Sequence, residues 1–210
     1  MKYVQAINGA LKQALSEDES VLLCGLGVPD PKGIFGSTLG LQKEFGDARV
    51  FDIPLAENAM TGMVLGASIT GCRPILTHQR LDFSLVSFEQ IVNQIAKWSY
   101  MFGEAMRTPL VIRMIVGRGW GQGPQHGQSL QSLFGHIPGL RVIMPSSPGD
   151  AGGMLLSAIR SSQPIICIEH RWLYEIDDPD LDQIRAAPLD GAEVVMEGEA
   201  VTIVGMSYSV

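Results

Sequence analysis

Residues 51–77 read FDIPLAENAMTGMVLGASITGCRPILT. Residues 49–53 predict a short strand, Pro54 turns the chain, and Glu57 follows at the mouth of a predicted helix. That helix carries Gly62, Gly66, Ala67, Ser68 and Gly71, so a neighbouring backbone can approach it closely. Residues 73–77 predict a second strand at once. A lone carboxylate after a strand, opening a small-residue helix, is where an open α/β sheet places a functional group. Position alone leaves two roles for Glu57: a first-turn acid that complements the helix dipole, or a working carboxyl.

Outward from this unit the chain keeps alternating. Residues 21–24, 110–116, 141–144 and 165–169 predict strands. Val4, Ile7, Leu11 and Leu15 mark one face of a first helix ending near Ser16. Helices are further expected over 38–45, 84–102 and 149–160, the long one carrying Leu85, Phe88, Ile91, Val92, Ile95 and Trp98 at three- and four-residue steps. The expected fold is therefore α/β, a doubly wound and mainly parallel sheet with helices on both faces. Two glycine-rich loops follow strands, GLGVPDPKGIFGSTLG over 25–40 and GRGWGQGPQHGQ over 117–128. The first starts like a dinucleotide fingerprint but places Pro29 and Asp30 where the helix and third glycine belong, so it reads as a turn-forming loop. Glu57, Phe83 and the 117–128 loop all follow strands and are expected at the carboxyl edge of the sheet, where ligands gather.

Past Glu169 the texture changes. Residues 1–175 read as one domain, 176–192, with DDPDLD and further prolines, as a linker, and 193–210 as the start of a C-terminal domain left incomplete, with strands over 193–197 and 200–205.

Composition sets outer limits. Of 210 residues, 46% are hydrophobic, and mean hydropathy is +0.17, which suits parallel strands covered on both faces. No apolar run reaches membrane-spanning length. Net charge −7 and a pI near 5.0, with no basic stripe, exclude a nucleic-acid surface and a lipid-binding basic patch. The N-terminus has helical periodicity in place of a signal peptide's apolar core, and three cysteines without metal spacing point to reduced thiols in a cytoplasmic protein.

The segments PLAENAMTGMVLGASITGCRPI, DFSLVSFEQIVNQIAKWSYMFG, PQHGQSLQSLFGHIPGLRVIMPSSPGDAGGMLLSAIR and PIICIEHRWLY, in this order, resemble the beta subunit of thiamine-diphosphate-dependent 2-oxo acid dehydrogenases of the pyruvate and branched-chain type. The resemblance covers nearly all of residues 1–205. It implies the pyrimidine-binding domain shared with transketolases, and decarboxylation of a 2-oxo acid with acyl transfer to lipoamide. By motif match Glu57 is the glutamate that hydrogen-bonds ring nitrogen N1′ of the cofactor's aminopyrimidine, an exchange of a proton that a buried carboxyl would favour. Leu55 beside it is a cofactor-binding position. Phe83 matches the aromatic that stacks on the pyrimidine, although a core Phe after a strand is an equal reading. His126 matches a histidine on the substrate side and is a proton carrier by chemistry, although a His in a glycine-rich loop is also commonly just exposed. His136 reads as structural, and Trp120 and Arg118 as possible walls of the pocket mouth.

The resemblance also fixes what differs. Leu26 and Gly27 stand where an acidic pair is usual, putting an acidic relay between paired sites in question. Thr77, then His78 and Arg80, replace a strand-ending acid and change the pocket floor. A potassium site through the carbonyls of Leu110, Ala158, Ile159, Ser161 and Gln163 lacks its usual aspartate, because the turn reads AIRSSQP. The Gly-Asp-Gly motif that holds diphosphate and magnesium has no counterpart. The resemblance implies that a separate alpha subunit supplies it in an α2β2 assembly with a beta–beta contact, served by a lipoyl acyltransferase. A split transketolase transferring two-carbon units between sugars, or a non-catalytic partner-binding subunit, are the alternatives.

Overall fold

Val21–Cys24 (β1) is the strand from which the sheet grows in both directions. Asp18 Oδ1 accepts from the Ser20 amide at 2.8 Å, a short side-chain turn that ends the first helix and releases an apolar run into the sheet. The computed structural model describes residues 1–103, 106–119 and 121–210. Its elements follow in order: Tyr3–Glu17 (α1), β1, Leu41–Phe45 (α2), Val50–Phe51 (β2), Glu57–Ile69 (α3), Arg73–His78 (β3), Ala96–Phe102 (α4), Val111–Val116 (β4), Gln131–Gly135 (α5), Arg141–Ile143 (β5), Pro148–Arg160 (α6) and Ile165–His170 (β6).

The described residues form one six-stranded sheet in the order β2-β1-β3-β4-β6-β5, with every pairing parallel. Alternation along the strands splits the core. Val111 and Ile115 face one side with Ile75, Ile165, α1 and α6. Ile112, Met114 and Val116 face the other with Ile166, Leu65 of α3 and Ile95. Helices on both faces are what a chain of buried parallel strands requires, since each crossover must lie over the sheet. The doubly wound α/β expectation holds.

α6 starts where its sequence says it should. Ser147 accepts from the Asp150 amide at 3.1 Å, Asp150 accepts from the Ser147 amide at 3.1 Å, and Pro148 occupies the first helical turn. α6 then packs against α1 closely enough that a Cβ at Gly152 would lie 3.1 Å from the Ala6 carbonyl.

Three expectations change. The single helix over 84–102 is a rod of changing pitch: a 3-10 helix at Leu81–Ser87, a π-helix at Gln90–Ile95, then α4. Ser84 and Ser87 explain its tight start, since their hydroxyls donate to the carbonyls of Leu81 at 2.6 Å and Ser84 at 3.0 Å. The strands expected over 193–197 and 200–205 are absent: Met196 is 88% and Ile203 86% exposed, because no partner strand lies beside either run. Residues 176–190 lie on the domain. Ile184 fills the notch left by Gly9 and Gly152, and Ser157 donates to Ala187 O at 2.6 Å. Boundaries elsewhere move by one to three residues, as frayed element ends do.

Candidate active site at the carboxyl edge of the sheet

β2 lies outside β1, and β3 lies on its other side, so the winding reverses between β1 and β3. The crevice beyond their carboxyl ends is the favoured ligand position in such a sheet. Two bonds shape it. Gln79, just after β3, donates to Leu26 O at 2.8 Å, and Asp52, just after β2, accepts from the Gly27 amide at 2.9 Å. The Leu26–Gly27 turn is therefore tied down by polar groups of its neighbours.

Glu57 is the first residue of α3 and is half-buried in the chain by itself, less enclosed than the sequence led us to expect. Its carboxyl has no hydrogen bond or ion pair among the described residues. Leu55, in the turn before it, is 74% exposed. α3 packs along the 3-10 segment that follows β3, and that segment carries Asp82 and Phe83.

The structure brings Phe83 and His126 together. Their rings meet edge to face, with centroids 5.3 Å apart and planes at 90°. Asp82 holds this meeting in place: its Oδ1 accepts from the Gln128 amide at 3.2 Å and from Gln128 Nε2 at 2.8 Å, two residues past His126. The neck of the loop is closed where Gly127 packs on Gly117, so tightly that a Cβ at Gly127 would overlap the Gly117 carbonyl. Asp82 Oδ2 is buried without a partner.

Deeper at the end of β3, His78 is 5% exposed and its Nε2 has no hydrogen-bond partner. Burial lowers its pKa to about 4, so the imidazole is neutral near pH 7. Arg80 is 6% exposed, donates to Gln79 O at 2.7 Å and to Gln122 Oε1 at 3.1 Å, and lies over the Phe35 ring at 4.7 Å. Arg171, just past β6, lies over the same ring at 5.1 Å and over Tyr174 at 4.9 Å. Phe35 has φ +50°, a left-handed conformation that a non-glycine residue keeps only under constraint.

Beneath these groups a buried ion pair crosses the sheet. Arg113 of β4 donates to Glu169 of β6 from Nε at 2.6 Å and from Nη2 at 2.9 Å, and also reaches Ser37 Oγ at 3.0 Å. Tyr174 donates to Glu169 Oε2 at 2.6 Å. Burial disfavours the Arg113 charge, but Glu169 beside it more than compensates and raises the guanidinium pKa. This bidentate pair ties strands β4 and β6 to the 25–40 loop through Ser37.

The other sequence expectations distribute as follows. Arg118 lies over Trp172 at 5.9 Å, and its carbonyl accepts from Trp172 Nε1 at 3.0 Å. Trp120 lies outside the described residues. His136 is exposed at the end of α5, away from the edge. At the 158–163 turn Arg73 Nη1 donates to Ile159 O at 3.1 Å and to Ser161 O at 2.8 Å. Ala158 O accepts from the Ser161 amide, and Leu110 O from that of Ile165. A potassium ion there would share carbonyls with this guanidinium.

Sequence reading passed over Asp82, Gln128, Arg171 and the Arg113–Glu169 pair. The last was signalled: an arginine within VIRMIV and a glutamate within IICIEH cannot be buried without partners. The Asp82–Gln128 tie had no such signal, because it joins two loops far apart in the chain.

Residues 1–176 match the family model described as transketolase, pyrimidine binding domain. The chain is 42% identical over 209 residues to the beta subunit of acetoin:2,6-dichlorophenolindophenol oxidoreductase from Cupriavidus necator, covering 95% of this chain and 62% of that protein. It is 39% identical over 205 residues to the pyruvate dehydrogenase E1 component subunit beta of Staphylococcus epidermidis, covering 97% of this chain and 63% of the relative. The 2-oxoisovalerate dehydrogenase subunit beta of Bacillus subtilis is 36% identical over 207 residues, with 97% and 63% covered. The chain thus spans 62–63% of the length of these curated relatives. Among solved structures, a split gene transketolase described as an inactive beta4 tetramer superimposes with TM-score 0.70 over 90% of this chain and 56% of that one, at 18% identity, a likeness of fold. An all-parallel sheet wound on both faces and the match over 1–176 lead to one assignment: the chain belongs to the family of transketolase pyrimidine-binding domains.

Proposed function

We propose that this chain is the pyrimidine-binding half of a thiamine-diphosphate site in a beta subunit that decarboxylates a 2-oxo acid and passes the acyl group to lipoamide. The observation that carries the reading is the Phe83–His126 pair, locked by Asp82 and Gln128 beside the helix that Glu57 opens.

The residues fit an aminopyrimidine. A carboxyl without another partner, a half-buried aromatic ring and an imidazole set edge-on to it are what a flat, nitrogen-bearing heterocycle needs. Bound thiamine diphosphate would supply the carbon nucleophile and the electron sink. Glu57 would hold or share a proton at N1′, Phe83 would cover one face of the ring, and Leu55 would line the ring's edge. His126 would carry protons on the substrate side. Closure by a partner would bury Glu57, now half-buried, and so favour a shared proton over a fully ionised carboxylate.

The partner is an alpha subunit that brings the diphosphate and magnesium ligands. A second copy of this chain would cover the open side of α3, where a Cβ at Gly66 would meet nothing within 4 Å and Met63 is 41% exposed. A lipoyl acyltransferase would receive the product. No described helix is long and apolar enough to cross a membrane. Free Cys24, Cys72 and Cys167 support a reducing compartment, the cytoplasm.

The test is calorimetric titration of thiamine diphosphate with magnesium. The beta protein alone should bind poorly, and the reconstituted alpha–beta assembly should bind and release CO2 from a 2-oxo acid. Micromolar magnesium-dependent binding by the beta protein alone would contradict the shared site. Two-carbon transfer between sugars without CO2 release would favour a split transketolase, and cofactor binding without either reaction a non-catalytic subunit.

A further inference from the structure

We propose that Arg80 and Arg171, gathered over the Phe35 ring, form an oxyanion subsite that holds a second anionic group of the substrate, remote from its reacting carbonyl. The preferred substrate is then a 2-oxo acid whose far end carries a carboxylate or a phosphate. This inference rests on the functional reading above for the identity of the reacting end, but not for the subsite.

Two guanidiniums are drawn to one aromatic ring from separate strand ends, at 4.7 and 5.1 Å from its centroid. Aromatic faces attract cations, yet two like charges at one ring also repel. Arg80 feels it: burial first, then the charge of Arg171, lowers its pKa. Asp82 offsets part of the Arg80 charge. Arg171 has the Glu175 carboxylate near enough to help hold it ionised, but Glu175 is held first by Lys2. Among the described residues no carboxylate lies within ion-pair distance of Arg171: Glu169, two residues before it, pairs with Arg113 at 2.6 Å, and Glu175, four residues on, pairs with Lys2 at 2.7 Å. The edge therefore keeps a local positive charge in a chain whose net charge is −7. An anionic substrate approaching such a chain needs a local attractor of this kind.

The surroundings are those of a prepared site. Phe35 holds φ +50°, a left-handed conformation kept only where the surroundings constrain it. Gln122 fixes Arg80 to the loop that carries His126, so the cations sit at a set distance from the proposed proton carrier. Tyr174, under Arg171, is anchored through Glu169 to Arg113, which keeps the platform rigid. Guanidinium groups suit this task because they bind carboxylate and phosphate oxygens in pairs.

The experiment uses the alpha–beta assembly, first without thiamine diphosphate, titrated with inorganic phosphate and with 2-oxoglutarate. Saturable binding is expected, weakened at least tenfold by Arg171→Met and partly restored by Arg171→Lys. Arg171 is half-exposed, so its substitution should leave thermal unfolding nearly unchanged even if Arg80→Met fails to fold. The tighter of the two probes assigns phosphate or carboxylate as the natural group. With cofactor added, Arg171→Met should lower the preference for 2-oxoglutarate over pyruvate at least tenfold in kcat/KM if the natural group is a carboxylate. Binding of neither probe, or equal binding by Arg171→Met, overturns the subsite. Arg171-dependent binding in an assembly that decarboxylates nothing leaves the subsite standing and overturns the functional reading instead.

Discussion

Glu57 separates two roles that its position in the first turn of α3 leaves entangled. Glu57→Gln keeps size and hydrogen-bonding capacity but cannot exchange a proton with N1′. As a dipole partner the change costs at most about 1 kcal/mol. As an acid–base group its loss should lower turnover of the assembly by about a hundredfold or more. Measured in one preparation, a lowered melting point with near-normal turnover would reduce Glu57 to a helix-start residue. His78 gives a second residue-level prediction, in pH. In the fold it stays neutral down to about pH 4, whereas in the unfolded chain it takes up a proton below its ordinary value of 6.5. Between those values the unfolded state binds more protons, so stability falls as pH falls through that window. The depressed pKa corresponds to a loss of up to about 3 kcal/mol by pH 4. Urea unfolding of wild type and His78→Leu across pH 7 to 4 is the check, and an unchanged pH slope in the variant would remove His78 as the cause.

At the scale of elements, the buried Arg113–Glu169 pair is the joint between two strands, the 25–40 loop and Tyr174. Arg113→Met leaves Glu169 buried and uncompensated, with an expected cost of about 3–5 kcal/mol, whereas removing both charges together should cost less. Chemical denaturation of the two single variants and the double variant measures the coupling, and additive losses would contradict a joint. The same scale shows what could be read before folding. The strands were legible because parallel, doubly covered strands are short apolar runs between helical periods, and Val111–Val116 is such a run even with Arg113 inside it. Glu57, Phe83 and His126 are proposed from their motif, and what the structure adds is that Phe83 and His126 lie side by side, edge-on. The 3-10 and π turns over Leu81–Ile95 were not legible, because apolar spacing at three and four residues is common to all three helical pitches. Nor were Asp82–Gln128 and Arg80–Arg171, since loop-to-loop polar contacts leave no periodicity behind.

For the molecule as a whole, order is uneven. Residues 193–206 lie outside every strand, while the turn Ser207–Ser209 returns to the carboxyl edge, where Tyr208 stacks on His170 at 4.9 Å and Ser207 is buried. Hydrogen exchange should show near-random-coil rates across 193–206 in the chain alone, and slowing by several orders of magnitude there would mean a structured segment. The close packing of α1 on α6 has one more consequence, for biosynthesis. α1 leaves the ribosome with its buried face, Tyr3, Ile7, Leu11 and Leu15, matched to a helix that begins at Pro148. At about 5–20 residues per second, that partner is roughly seven to thirty seconds away, and more once the exit tunnel is counted. Through that interval the nascent chain carries an amphipathic helix with half its cover missing, a natural client for a chaperone that shields apolar surface until synthesis has moved past α6.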